Sequence, residues 1–314
     1  MQKFARTFFL FTLFLLVFST LISLGMDKLL AGKLISYRKH TWVITMKERS
    51  YDYGVLGSSR VYNMVNVPLM DSILHTNGIN MATSGSSYGD NYCLLLKFLE
   101  NGNKLKKLFL NIDEYCFDTQ HHYSYPFADY EYMPFFFQKN MREVYSDYES
   151  PSKMALWTVV PFSRYAEFSD KYKLRNFFIL RHFQSDYENS KGGEMLTDST
   201  YKNFKASFST LNVNDTDVKY LYKICALCKQ KGIPVIFLTT PESPELYPLQ
   251  KNRAELYNRI YQWTGQLGEH YYMFDKLADF SDRKYFRDYT HTNSVGSAFY
   301  SKLLAAKLRE DKVL

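Results

Sequence analysis

The chain has 314 residues, 46% of them hydrophobic, enough for one large domain or two small ones. Its net charge of +7, from 39 basic and 32 acidic residues, includes no dense Lys/Arg run, which argues against nucleic acid as a partner and suits an anionic polymer. The 27 Tyr and 25 Phe suit a surface that meets sugars or interfaces, although AT-rich coding raises the same two residues.

Residues 1–27 read as a membrane segment. Lys3 and Arg6 precede an uncharged run from Phe8 to Leu24, about long enough to cross a bilayer as a helix and longer than the usual core of a signal peptide. The two basic residues favour a cytoplasmic N-terminus, which would leave the rest of the chain outside the cytoplasmic membrane. The alternative is a secreted protein, cut near Ser23-Leu24-Gly25. Residues 28–50, with Lys28, Lys33, Arg38, Lys39 and His40, read as a connector close to lipid headgroups.

The domain proper is expected over 51–314. Val55 and Leu56 end a buried strand, Gly57 permits a sharp turn, and Ser58-Ser59-Arg60 leads into a helix. A serine on such a turn stands clear of the sheet, beside the free N–H groups of a helix start. A helix follows from Pro68, with Gly78 as its stop, and Asn80 to Ala82 forms a short strand. Asp90 caps a helix through Cys93, Leu95 and Leu99 that stops at Asn101-Gly102, and Lys107 to Ile112 is a buried strand. The alternation predicts an α/β fold with a mainly parallel sheet, its functional groups at the C-terminal strand ends.

The segment 115–213 interrupts that alternation. It is crowded with aromatics (Tyr123, Tyr125, Phe127, Tyr130, Tyr132, Phe135-Phe136-Phe137) and reads as an inserted, aromatic-rich cap, or as packing around the sheet. Helices are expected between Pro151 and Pro161 and over 173–183, and Gly192-Gly193 reads as a mobile loop. His121 and His122 are adjacent, so they share no helix or strand face, and no partners stand at ligand spacing; no metal is expected. From Asn214 the alternation returns, with a capped helix closed by Gly232, an apolar strand from Ile233 to Thr239, a helix over 251–267 followed by Gly268, and a final helix holding Ala298, Phe299, Leu303, Leu304 and Leu308. Cys225-Ala226-Leu227-Cys228 lies inside a helix rather than at its start, so it reads as a pair of core thiols.

Just before the final helix stands Asp288-Tyr289-Thr290-His291. A carboxylate three residues before an imidazole can orient the ring while its other nitrogen faces a serine hydroxyl. With Gly57-Ser58-Ser59, this resembles the SGNH/GDSL hydrolase superfamily, over about 50–115 and 215–310. Within it, the pattern is similar to membrane-anchored envelope proteins such as DltD, of teichoic acid D-alanylation, and the alginate O-acetylation proteins.

The resemblance implies an SGNH-like three-layer sandwich. It implies a catalytic set of Ser59 as nucleophile, His291 as base and acid and Asp288 as orienting carboxylate. The run Asn80 to Gly85 stands at the family's second motif, which makes the N–H groups of Ser59 and Gly85 the oxyanion hole. At the third motif Asp113 occupies the place of an Asn, and an ionised carboxylate accepts hydrogen bonds without donating them. Arg60 and Asp113 are candidate substrate-binding residues, and no cofactor is expected. The implied activity is that of a serine esterase or O-acyltransferase acting on acyl esters of an envelope polysaccharide or of a small molecule. A membrane-bound O-acyltransferase is a candidate partner. The alternative is a non-catalytic protein of the same fold that binds envelope polymer or docks such an acyltransferase.

Overall fold

The computed structural model describes residues 1–31, 39–119, 129–167, 186–197, 200–202, 209–267, 270–274, 277 and 280–314. These form two compact units, one of Met1–Thr45 with Ala128–Ser185, the other of Met46–Phe127 with Asp186–Leu314. The expectations placed on Lys33, Arg38, His121, His122, Tyr123, Tyr125, Phe127, Gly268 and the 173–183 helix lie outside the described residues.

The first unit is helical. Its N-terminal helix α1 runs from Gln2 to Leu30, and its apolar side chains are bare along most of its length, Phe8, Phe11, Phe14, Val17, Phe18, Leu21 and Leu24 among them. The helix is long and apolar enough to cross a membrane. The expected connector is more structured than its composition suggests. It holds the end of α1, a short helix Lys39–Thr45 and the strand β1 at Ser50–Tyr51. Among the described residues the unit also holds helices Asp129–Tyr132, Lys139–Tyr148, Pro151–Val159 and Ser163–Glu167. Phe136, Tyr145 and Trp157 meet edge to face at its core, with ring centroids 5.3–5.9 Å apart. Much of the aromatic segment expected as one insertion therefore belongs to a unit that includes the N-terminus, while 186–197 and 209–213 belong with the sheet.

The second unit is built on a parallel sheet of five strands: β2 (Tyr53–Leu56), β3 (Gly78–Asn80), β5 (Leu108–Asn111), β6 (Val235–Thr239) and β7 (His270–Met273), in the order β3-β2-β5-β6-β7. β1 pairs separately with β4 (Lys104–Leu105). Residues 53, 55, 109, 236 and 238 join one core cluster with Met64, Met70, Tyr300 and Leu304. Their neighbours Leu56, Leu108, Leu110, Val235 and Phe237 are buried too, so both faces of the central strands are covered, as parallel strands require.

Two glycines carry more constraint than composition reveals. Gly78 does not end the preceding helix; that helix, Val67–Leu74, stops at His75 in the left-handed conformation. Gly78 opens β3 because the Tyr53 ring occupies its Cβ position, 2.2 Å from an added carbon. At Gly57, φ is +153° and an added Cβ would stand 2.5 Å from the Asn111 Cβ. Asp90 is the third residue of its helix rather than the cap; Ser87 caps it and the two exchange bonds in a capping box. The Gly192-Gly193 turn is tied down, with Asn80 N–H donating to Lys191 O and Glu194 N–H to Tyr62 O.

Gly57→Ala should lower the stability of the sheet unit by roughly 1–3 kcal/mol, from backbone strain and the clash with Asn111. Chemical denaturation of the detergent-solubilised chain reads this directly.

Candidate active site

All five strands run the same way, so their C-terminal ends meet at one edge. The turn after β2 delivers Ser58, Ser59 and Arg60, the loop after β5 delivers Asp113 and Glu114, and the loop after β6 delivers Glu242. The turn before the C-terminal helix, Ser294–Glu310, delivers Asp288 and His291.

Ser58 and Ser59 face different tasks because the chain enters a helix between them. Ser58 is the cap of the Ser59–Met64 helix, and its hydroxyl oxygen accepts from Arg60 N–H. Its own proton goes to Asp113 Oδ2 at 2.5 Å. Ser59 is the first helical residue and its Oγ lies 2.8 Å from His291 Nε2. On the other side of the ring, His291 Nδ1 is 3.0 Å from each oxygen of Asp288. A carboxylate can only accept, so Nδ1 carries the proton and Nε2 is left to accept from Ser59.

Burial opposes the charge on Asp288, but hydrogen bonds from His291 and from Thr290, with the pull of the imidazole, hold its pKa down at about 2. The Asp288 loop is itself fastened: Thr290 N–H and hydroxyl and His291 N–H all reach Asp288 Oδ1 within 2.9 Å. The stabilisation Asp288 gives is present above the ordinary carboxylate range and fades as pH falls toward about 2, so this anchor is intact at neutral pH.

A cavity of about 360 Å³ opens over these groups, lined by Ser59, Gly85, Tyr115, Leu246, Tyr289 and His291, with Ser84 and Ser209 among the rest. Gly85 sits in a turn with φ of +71°. Ser59 N–H is among the first donors of its helix, which have no acceptor in the turn before.

Arg60 and Asp113 border the cavity but serve the interior. Arg60 is 3% exposed. Its Nε is 3.4 Å from Asp113 Oδ2, its Nη2 is 3.1 Å from Glu114 Oε1, and its Nη1 bonds Glu242. The guanidinium is thus spent on internal carboxylates rather than offered to a ligand. Asp113 also accepts from Tyr115 N–H, so it fastens the turn and supplies no donor where the resemblance leads one to expect an Asn. Asn111 does not substitute for it: its amide nitrogen faces the carbonyls of Ile112 and Leu238.

The cluster extends to residues the sequence did not mark. Arg253 Nη1 is 2.8 Å from Glu242 Oε2, Gln250 donates to Glu114 Oε1, and Tyr257 donates to Glu114 Oε2. Burial works against both carboxylates. In Glu114 the two guanidiniums of Arg60 and Arg253 prevail and the pKa is lowered. In Glu242 burial and the negative charge of Glu114 prevail and the pKa is raised. A proton on Glu242 leaves Asp113 and Glu114 to balance Arg60 and Arg253.

Glu242→Gln should therefore be tolerated and should flatten the pH dependence of stability. The wild-type proton on Glu242 stabilises fully below the ordinary carboxylate range, and that contribution is lost as pH rises through its raised value. Glu114→Gln leaves two buried guanidiniums short of charge and should cost about 3–5 kcal/mol. Asp113→Asn should weaken folding by about 1–3 kcal/mol and lower activity, because the acceptor for Ser58 and the partner of Arg60 are both diminished. Thermal melts of the three variants across pH test the set.

The model of an uncharacterised family matches residues 158–312, just under half of the chain, taking in Asp288 and His291 but not Ser59. No curated protein matches the sequence.

Proposed function

We propose that this protein is a membrane-anchored serine esterase or O-acyltransferase of the SGNH type. The observation that carries the reading is the continuous relay Ser59 Oγ–His291 Nε2, His291 Nδ1–Asp288, joined at 2.8 Å and 3.0 Å beside a cavity. The all-parallel sheet with its groups at one edge supports the SGNH-like sandwich. Tyr115 and Ser209 stand near the two ends of the 115–213 insertion and both line the cavity, which supports a role for those ends as walls over the substrate.

In this mechanism Ser59 Oγ attacks the acyl carbonyl as His291 Nε2 takes its proton. Asp288 keeps Nδ1 protonated and steadies the imidazolium. The N–H groups of Ser59 and Gly85 hold the oxyanion, and His291 returns the proton to the leaving oxygen. Water, or a hydroxyl of an acceptor, then takes the acyl group by the same steps reversed. A hole without the Asn donor is a weaker one, worth about 100- to 1,000-fold in rate where single donors have been removed. That favours a slow enzyme, and an acylated envelope polysaccharide is the substrate class that the resemblance implies.

The anchor reading is supported by what the end of α1 does. Ser19 Oγ accepts from Phe162 N–H at 3.1 Å, and Arg164 Nη2 is 2.7 Å from both Ser23 Oγ and Asp27 Oδ2. Cleavage near Gly25 would remove Ser19, the partner of Phe162, and Ser23, one of the partners of Arg164. The chain should sediment with membranes at its full mass, and the sheet unit should resist probes added on the cytoplasmic side.

The purified full-length chain should hydrolyse a generic acetyl ester slowly. Ser59→Ala should abolish this, and Asp288→Asn should lower kcat by about 10⁴, because an amide can hold the wrong imidazole tautomer. If wild type and Ser59→Ala are equally inert on several esters, yet both restore envelope modification in a deletion strain, the protein binds polymer or docks a partner acyltransferase instead.

A further inference from the structure

The helix Pro151–Val159 is uncharged on its outward side. Its exposed residues include Ser152, Ala155, Leu156 and Val159, spaced i, i+3, i+4, i+7, while Met154 and Trp157 are buried on the other side. Leu156 is 52% and Val159 65% exposed. A helix face turned to water normally carries charge, and this one carries Ala155, Leu156 and Val159 with the hydroxyls of Ser152 and Thr158, Thr158 accepting from Arg142 at the edge of the face. Exposure of this kind marks a surface made for something other than water.

What covers it is indicated by where the chain goes next. Three residues beyond Val159, Phe162 N–H donates to Ser19 Oγ of α1. Between Arg6 and Asp27, α1 has 20 residues without charge. At 1.5 Å per residue these span about 30 Å, the thickness of a hydrocarbon core. Ser19 lies two turns and more before Asp27, about 12 Å along the axis. The 160–162 turn is therefore held against α1 inside the stretch that a bilayer would cover.

The backbone of that turn is suited to such a place. Val160 N–H donates to Leu156 O, and Val160 O accepts from Ser163 N–H. Pro161 has no N–H, and its carbonyl accepts from Arg164 Nε at 3.1 Å. Phe162 N–H goes to Ser19, and Phe162 O accepts from Tyr165 and Ala166. Every backbone polar group from Val160 to Phe162 is satisfied without water, the condition for irregular chain at membrane depth. Phe137, 49% exposed, stacks on Arg164 at 4.9 Å, and Arg164 in turn holds Ser23 and Asp27 at the end of the span. An aromatic ring beside a paired cation is what the boundary between headgroups and acyl chains accommodates.

We propose that the Leu156–Val159 face and the Val160–Phe162 turn are immersed in the lipid leaflet at the C-terminal end of α1. The helical unit then grips the membrane twice, through α1 and through this face. The inference rests on α1 remaining in the mature chain, and the experiment separates the two.

Full-length protein carrying Val159→Cys, or Leu156→Cys, is labelled with an environment-sensitive fluorophore and reconstituted in phosphatidylcholine–phosphatidylglycerol vesicles. The four native cysteines are buried, so unmutated protein serves as the labelling blank. Phe11→Cys, on the bare side of α1, is the in-bilayer control, and Glu143→Cys, on an exposed polar position, is the aqueous one. The Val159 and Leu156 probes should be quenched by nitroxide-labelled lipid and lose sensitivity to iodide, as the Phe11 probe does. If both are quenched by iodide like the Glu143 probe while Phe11 stays lipid-quenched, the inference is wrong and the anchor stands. Cross-linking of Val159 to a second copy, with no lipid quenching, overturns it in favour of a dimer face. If mass spectrometry finds a chain that begins after Gly25, the anchor reading falls first and the inference with it.

Discussion

A guanidinium with almost no water around it ties together the strand ends that carry the candidate site. Arg60 follows the proposed nucleophile directly in sequence, yet its guanidinium bonds Asp113, Glu114 and Glu242, which come from the ends of two other strands. A buried charge left unpaired costs several kcal/mol, so the chain cannot relax one of these loops without exposing the others to that penalty. Such clusters are poor sources of net stability, since desolvation offsets most of the attraction. What they supply is an arrangement with few alternatives. The turn after β2 is fastened to β5 and β6 by bonds that work in one geometry only, and Ser59 inherits that rigidity.

The serine pair shows how finely the turn divides its labour. Ser58 and Ser59 are chemically identical neighbours, but one precedes the helix and the other opens it. The capping position aims the Ser58 hydroxyl back at Arg60 N–H and across at Asp113. The next position turns Ser59 to the imidazole. Asp113 fits this division. As an acceptor it completes the support of the turn; as a donor to an oxyanion it would have to give up Ser58, Tyr115 and Arg60 at once. Under the proposed mechanism, an Asp at this place gives up a donor to the oxyanion and supports the Ser58-Ser59 turn instead.

Much of this was legible in the sequence where the signal is local. Strand and helix periodicity locates β2, β5, β6 and the helices Tyr88–Glu100 and Asp215–Gln230 to within a few residues, and the motifs single out Ser59, Asp288 and His291, which the fold brings together. Several of the failures share a cause, which is that their partners are distant; the Asp90 cap is an exception, since Ser87 stands three residues before it. Gly78 reads as a helix stop until the Tyr53 ring is known to fill its Cβ position. Glu242 lies in a Pro- and Ser-rich loop and carries no local mark, because nothing nearby reveals Arg60 and Arg253. Glu114 and Gln250 are equally unmarked. In α1 the polar residues Ser19, Ser23 and Asp27 are spaced four apart on one face, a signal that was present, but an apolar run draws attention to length rather than to the stripe within it.

The Ser59–His291 contact also depends on an element that forms no part of it. Ser59 and His291 are 232 positions apart, and they meet because the C-terminal helix lies on the helices that follow β2. The contact is made through small polar residues. Ser297 Oγ donates to Met64 O at 2.9 Å, and Ser301 Oγ accepts from Asn66 N–H at 2.9 Å. These two bonds satisfy backbone groups released where the Ser59–Met64 helix ends, so the end of the nucleophile helix is capped by the helix that follows the histidine. Asn293 completes the link. It is fully buried, caps the C-terminal helix through Val295 and Gly296, and reaches back to Lys284 O. The spacing between hydroxyl and imidazole is thus fixed by helix packing on one side and by the ionic cluster on the other. A change at Ser297 or Asn293 should reach the chemistry through geometry alone.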